Sequence, residues 1–137
     1  PRRGRRGGGG GGGVGSNLAP LVSDTKSLLA FSHTRGLMTG RNPMSLVAAS
    51  LIVAAGVRGV RLTCKQAADA ARSTTETTRH MHCELREELL AFTHTFHWGE
   101  GATLKTLDEF LPSVVTHLAG VLHQRELERQ QEQQQQQ

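Results

Sequence analysis

Apolar residues recur at helical spacing through most of the chain, and no segment alternates apolar and polar residues for long enough to form a strand. The pattern predicts a first helix over 18–35, ended by Gly36, and a second over 43–55 with Asn42 as its N-cap. The second helix is apolar or small on nearly every face, which is typical of a helix surrounded by other helices. We therefore expect an all-α bundle of five or six helices with this helix at its centre.

Two further helices follow in close succession over 62–92. The first, over 64–71, begins with Thr63 and Gln66, which form the reciprocal capping-box pattern. Four alanines in this short helix allow a neighbouring helix to approach closely. The second helix begins with another capping-box pattern, Ser73 to Glu76, and runs to residue 92.

The helix that ends at residue 92 carries an apolar stripe of Met81, Leu85, Leu89 and Phe92, which are spaced four, four and three residues apart. A short helix, a tight turn and a long helix together predict a helix-turn-helix over 62–92. Beyond it, 96–99 is expected to form a loop, and helical spacing resumes near residue 103. Because Pro112 interrupts this run, we expect one short helix over 103–110 and another that begins near Pro112.

Both ends of the chain have low-complexity sequence. Residues 1–16 are rich in Arg and Gly, and residues 130–137 are almost entirely Gln. Neither end can bury enough apolar surface to offset the entropy of ordering its backbone, so we expect both tails to be disordered and 17–129 to be the folded domain. The chain begins without Met, and we expect it to be a fragment of a longer protein or an incomplete gene model.

The net charge of +4 comes entirely from the first tail, through Arg2, Arg3, Arg5 and Arg6. The rest of the chain is neutral but its charges are segregated. Residues 35–79 contain seven basic and two acidic side chains, whereas residues 80–137 contain four basic and nine acidic ones. A polyanion such as DNA would be attracted to the first of these segments and repelled by the second.

No catalytic machinery, metal site or cofactor site is expected from the remaining motifs. Cys64 and Cys83 lack CxxC spacing, and the His94-x-x-His97 and His80-x-His82 pairs have no second ligand pair at structural-zinc spacing. The glycine run lacks the Lys and Ser or Thr of a phosphate-binding loop. No apolar run reaches the length that spans a bilayer. We expect a binding protein with no small-molecule substrate.

Three short motifs, in order and spacing, resemble one cyclin-like repeat of the transcription factor IIB family. They are Gly-Arg-Asn-Pro over 40–43, Thr-Cys-Lys-Gln over 63–66 and Thr-Thr-Arg over 77–79. Trp98–Gly99 and Thr-Leu-Lys over 103–105 resemble the plant-specific branch of that family. The resemblance implies a cyclin-like bundle, the second of two repeats in a general initiation factor. Such a nuclear factor binds TATA-binding protein and promoter DNA and helps recruit RNA polymerase.

In that family the helix-turn-helix of the second repeat enters the major groove beside the TATA element. By position the base-contacting arginine is Arg79, and Thr78 stands where the family has Ile. The position three residues before Arg79 is often apolar in the family. In this chain it is Glu76, whose negative charge would repel phosphate. We expect contacts to the DNA backbone from Lys65, Arg72, Thr75 and Thr77. Arg41 contacts phosphate or a partner, or else makes a local hydrogen bond.

Two alternatives stay open at this point. The same fold could serve as a cyclin-type regulatory subunit that binds a kinase without nucleic acid, which would require an exposed apolar groove. The Arg/Gly tail could bind RNA through charge and stacking on bases. The basic character of the segment that carries the helix-turn-helix favours DNA. Because the domain is neutral overall and Glu76 opposes phosphate, we expect DNA binding to require a partner.

Overall fold

The computed structural model describes residues 7–37 and 42–136, with side chains from residue 18 onward. Within these ranges the fold consists of helices joined by turns, with no strand. The helices are α1 Gly7–Thr34, α2 Pro43–Val57, α3 Cys64–Ala71, α4 Thr75–Thr93 and α5 Leu107–Gln135, with a short 3₁₀-helix at His97–Gly99. The predicted all-α class is confirmed, and the arrangement is consistent with a cyclin-like bundle.

Helix α2 lies at the centre of the bundle, as predicted, and packs against each of the other four α-helices. Its N-cap is Asn42, whose Oδ1 accepts the backbone N–H of Met44 at 3.0 Å, and Pro43 occupies the first position. The helix continues two residues beyond the predicted end. Its buried residues cover all faces because neighbours surround it: Ser45, Leu46, Ala48, Ala49, Ser50, Val53, Ala54 and Ala55.

The end of α1 confirms Gly36 as a stop signal. Gly36 has a φ of +75°, a conformation that costs glycine little because it has no Cβ. Its N–H bonds to the carbonyl of His33, and the N–H of Leu37 bonds to the carbonyl of Ser32. This is the Schellman arrangement, which satisfies the last carbonyls of the helix. Leu37 is thereby brought into the core.

The prediction of two helices after residue 103 is wrong. Residues 104–106 form a turn, in which the N–H of Thr103 donates to Thr106 Oγ1 at 2.9 Å. A single helix α5 then runs through Pro112. A proline there removes one helical hydrogen bond and costs roughly 3 kcal/mol. Five buried apolar side chains on both sides of it outweigh that cost, each contributing roughly 1.5–3 kcal/mol: Leu107, Leu111, Val114, Val115 and Leu118.

The helices α1 and α5 extend into the segments that the sequence assigned to tails. Helix α1 begins at Gly7 and α5 ends at Gln135. The residues from His123 to Gln135 are exposed and bury no core surface, so their helical form rests on the favourable propensities of Gln, Glu and Arg. The domain limits at residues 17 and 129 stay a prediction.

Candidate nucleic-acid interface

Helices α3 and α4 pack against each other and are joined by a turn of three residues, as the helix-turn-helix prediction requires. The capping box of α3 is confirmed in both directions. Gln66 N–H donates to Thr63 Oγ1 at 3.1 Å, and Thr63 N–H donates to Gln66 Oε1 at 3.0 Å. Helix α3 packs on α2 through Ala67 and Ala71 against Ala48. These small side chains let the backbones approach closely.

The second capping box, Ser73 to Glu76, is wrong. The N-cap of α4 is Thr74, whose Oγ1 accepts the N–H of Thr77 at 3.2 Å. Ser73 Oγ is buried and has no hydrogen-bond partner among the described residues. Ser73 and Thr74 are both favourable N-caps, so the local sequence alone did not distinguish them.

The turn between α3 and α4 depends on a residue in the left-handed conformation. Arg72 has φ 56° and ψ 48°, and its N–H bonds to the carbonyls of Ala68 and Asp69. It is the only residue other than glycine with a positive φ in the described part of the chain. A side chain with a Cβ is strained there. This strained conformation changes the direction of the chain between α3 and α4.

The first turns of α4 present polar side chains to solvent. Glu76, Thr77, Arg79 and His80 are exposed, and Thr75 is half-buried. No hydrogen bond or ion pair joins the side chain of Arg79 to any other residue in the described ranges. The opposite face is buried by the predicted stripe of Met81, Leu85 and Leu89, preceded by Thr78. Arg79 is thus held by a helix that the core orients, while its guanidinium is available.

The predicted backbone-contacting residues divide into two groups. Arg72, Thr75 and Thr77 lie together with Arg79 in the turn and the first turn and a half of α4. Lys65 lies near the other end of α3, about 10 Å from the turn at 1.5 Å per residue. Its Nζ is 3.3 Å from Asp69 Oδ2, and both side chains are largely exposed, so this ion pair is weak and readily exchanged. Arg41 lies outside the described residues.

Thr78 shows how this chain departs from the family pattern. Its side chain is fully buried, and Oγ1 has no hydrogen-bond partner among the described residues. An isoleucine at this position would fill an apolar site, as the resemblance implies. The threonine instead buries a polar group without compensation, which costs free energy of folding.

Sequence reasoning missed a cleft of about 390 Å³ between α2, α4 and the start of α5. Arg86 bridges the last two helices: Nη1 is 2.7 Å from Asp108 Oδ1, and Nη2 donates to the Leu104 carbonyl at 2.8 Å. His82 lines the same cleft. Burial and then the nearby Arg86 charge lower the pKa of His82, while Asp108 acts in the opposite direction. No local signal could join residues 86 and 108, which are brought together only by helix packing.

Metal-binding clusters and membrane-spanning helices are both absent from the part of the chain that the structure describes. No group of three or more His, Cys, Asp or Glu side chains is placed to hold a metal ion. None of the described helices combines the length and the apolar character needed to cross a membrane. The side chains of the Arg/Gly tail, the alternative RNA-binding segment, lie outside the described residues. The first turns of α4 stay the candidate site.

Comparison with known proteins finds similarity to archaeal transcription initiation factors. Transcription initiation factor IIB of Pyrococcus horikoshii is 39% identical over 62 residues, which are 45% of this chain and 21% of that protein. Factor IIB 1 of Thermococcus kodakarensis gives the same values. Factor IIB of Methanococcus maripaludis is 38% identical over 63 residues, 46% of this chain and 19% of that protein. No family model and no solved structure matches.

The chain spans about a fifth of the length of the curated relatives that it matches. The similarity supports a place in the transcription factor IIB-related family. The relatives are transcription initiation factors, which supports a role in transcription initiation. They are archaeal, so they do not bear on the plant-specific branch.

Proposed function

We propose that this chain is part of a general transcription initiation factor related to factor IIB, and that α3 and α4 bind promoter DNA beside a TATA element. The observation that carries the proposal is the 39% identity to archaeal factor IIB in a chain that contains a helix-turn-helix. We further assign it to the plant-specific branch on Trp98–Gly99 and the Thr-Leu-Lys motif over 103–105. Its place of action is then the nucleus.

In the proposed complex the start of α4 enters the major groove. Arg79 donates two hydrogen bonds to the O6 and N7 atoms of a guanine, which is the commonest specific contact in the major groove. The Thr77 hydroxyl and the Arg72 guanidinium bind phosphate oxygens on either side, and Thr75 does so from the first position of the helix. Lys65 binds phosphate from α3 after it exchanges its contact with Asp69. Phosphate contacts position the helix, and the base contact supplies specificity.

The proposed complex includes TATA-binding protein and the RNA polymerase machinery. The charge of the domain explains why DNA alone is a poor partner. The domain between the tails is nearly neutral, with 12 basic and 11 acidic side chains over 17–129, and Glu76 lies in the first turn of the DNA-facing helix. Electrostatic attraction supplies most non-specific affinity, so a neutral domain gains little of it. TATA-binding protein would hold the domain at the promoter and make up this deficit.

The test is a mobility shift of the full chain on a TATA-containing duplex, with and without TATA-binding protein, at two salt concentrations. We expect a complex that requires TATA-binding protein, and a loss of roughly tenfold in affinity for Arg79→Ala. Arg125→Ala is the matched control, because Arg125 is an exposed arginine on α5, and it should leave the affinity unchanged. Replacing all four tail arginines with Gln keeps the chain intact and should also preserve the complex.

Two results would count against the proposal. A complex that fails to form at low salt even with TATA-binding protein present would rule out promoter binding. If the complex depends on the tail arginines and not on Arg79, the Arg/Gly segment binds the DNA and α4 does not.

A further inference from the structure

Glu76 and Arg79 lie one helical turn apart at the start of α4, and both side chains are exposed. Side chains three residues apart on a helix are neighbours and could pair with each other. They do not: no ion pair joins them, and neither is engaged by any other side chain in the described part of the molecule. The proposed DNA-facing surface thus holds one free anionic group and one free cationic group side by side.

A carboxylate in this position has few favourable contacts on DNA. Phosphate oxygens repel it, and the acceptor atoms N7 and O6 of guanine and O4 of thymine do the same. Adenine offers the N6 amino group, but its N7 acceptor lies next to that group. The cytosine N4 amino group lies beside its own C5–H, so an acceptor, O6 of the paired guanine, flanks it on one side only, whereas the adenine amino group lies between N7 and O4 of the paired thymine. Cytosine is therefore the base whose edge opposes an ionised glutamate least, because its amino donor is flanked by one acceptor and not by two.

Resting on the proposed function, we infer that Glu76 selects a cytosine in the base pair next to the guanine that Arg79 contacts. The spacing suits neighbouring base pairs, because three residues rise about 4.5 Å along a helix and successive base pairs lie about 3.4 Å apart. Glu76 accepts a hydrogen bond from cytosine N4. It lowers the affinity for every other base at that position, so it acts as a specificity-determining residue and its repulsion of phosphate excludes non-specific sites.

The experiment is selection from TATA duplexes with randomised flanks, with the full chain and TATA-binding protein present. The wild-type chain should select cytosine next to guanine. In Glu76→Gln the side-chain amide can both donate and accept, as adenine N7 and N6 require. The preferred base should therefore change from cytosine to adenine, by about fivefold or more, while the guanine at the Arg79 position is retained.

Glu87→Gln is the matched control, because it makes the same charge change on an exposed residue of α4, about three turns away on the same face. It should leave both base preferences unchanged. A second probe replaces the selected cytosine with N4-methylcytosine, which keeps the base pair and blocks the N4–H in the major groove. This change should weaken wild-type binding about fivefold and leave the Glu76→Ala complex unaffected.

The outcomes separate this inference from the proposed function. If Glu76→Gln strengthens binding to all sequences equally and Arg79→Ala still weakens it roughly tenfold, Glu76 is a repelling charge only and the inference is overturned, while the proposed function stands. If no sequence is enriched and no complex requires TATA-binding protein, both are overturned.

Discussion

Thr74 and Thr77 are joined by two hydrogen bonds at the start of α4. Thr74 Oγ1 accepts the backbone N–H of Thr77 at 3.2 Å and donates its own proton to Thr77 Oγ1 at 2.7 Å. The pair fixes where α4 begins and holds the Thr77 side chain in one orientation. Since the Thr77 oxygen accepts within this pair, its proton is free to be donated to a phosphate oxygen. The cap and the proposed DNA contact are therefore compatible.

Replacing Thr78 with Val should stabilise the domain by about 1 kcal/mol, because it removes a buried hydroxyl that has no partner and preserves the shape of the side chain. Urea unfolding followed by circular dichroism measures this change. Thr93→Val is the matched control: Thr93 is equally buried, but its hydroxyl donates to the Leu89 carbonyl at 2.7 Å. If both variants gain stability to the same extent, the missing partner of Thr78 is not the cause.

Replacing Arg72 with Gly should stabilise the turn by about 1 kcal/mol. Glycine adopts the left-handed conformation of this residue without the strain of a Cβ, although its greater freedom in the unfolded chain offsets part of the gain. Arg72→Ala removes the same charge but keeps the strain, so it should give no gain. The two variants should weaken the DNA complex equally, because each loses one phosphate contact. Equal stability of the two variants would contradict the strain argument.

Replacing Gly99 with Ala should destabilise the domain by roughly 1–3 kcal/mol. A methyl group at this position would overlap the backbone carbonyl and side chain of Thr93, which is fully buried at the end of α4. Gly120 provides the control, since a methyl group there meets no neighbouring atom. In the middle of α5, Gly120→Ala should raise stability by about 1 kcal/mol. A neutral effect of Gly99→Ala in thermal unfolding would show that this contact relaxes easily.

Acidification should destabilise the wild-type chain partly through His82. Burial lowers the pKa of His82 in the folded state below its ordinary value of 6.5, so the unfolded chain binds this proton more tightly. Stability from the neutral imidazole is complete above about pH 6.5 and is lost as the pH falls from there toward the lower folded value. Free energies of unfolding should therefore decrease less for His82→Gln than for the wild type over this range. Parallel pH profiles would exclude His82 as a source of acid sensitivity.

The features that the sequence predicted correctly are those decided by neighbouring residues. The Asn42 cap and the Thr63–Gln66 capping box each involve side chains within three residues of one another. The stripe of Met81, Leu85 and Leu89 follows directly from helical periodicity. Such signals place α3 and α4 with little error.

Apart from the N-cap of α4, where Ser73 and Thr74 are equally suitable, the features that the sequence missed depend on packing between distant segments. Burial of side chains on both sides of Pro112 keeps α5 continuous, although proline alone favours a break. The bond between Arg86 and Asp108 spans 22 residues. Thr77 and Arg79 lie exposed on α4, but their contacts to DNA stay a prediction, and that Glu76 and Arg79 are unpaired could be seen only in the structure.

The most direct test of the central claim uses Cys83, which is exposed on α4 about one turn beyond Arg79. A DNA-cleaving reagent is attached to this thiol in a Cys64→Ser chain bound to a TATA duplex with TATA-binding protein. We predict cleavage within about one helical turn of the TATA element, which Arg79→Ala reduces at the same chain concentration. The same reagent on α5, in a chain with Cys64→Ser, Cys83→Ser and Ser113→Cys, should give no local cleavage. Cleavage spread evenly along the duplex from Cys83, or equal cleavage from both positions, would contradict insertion of α4 into the promoter DNA.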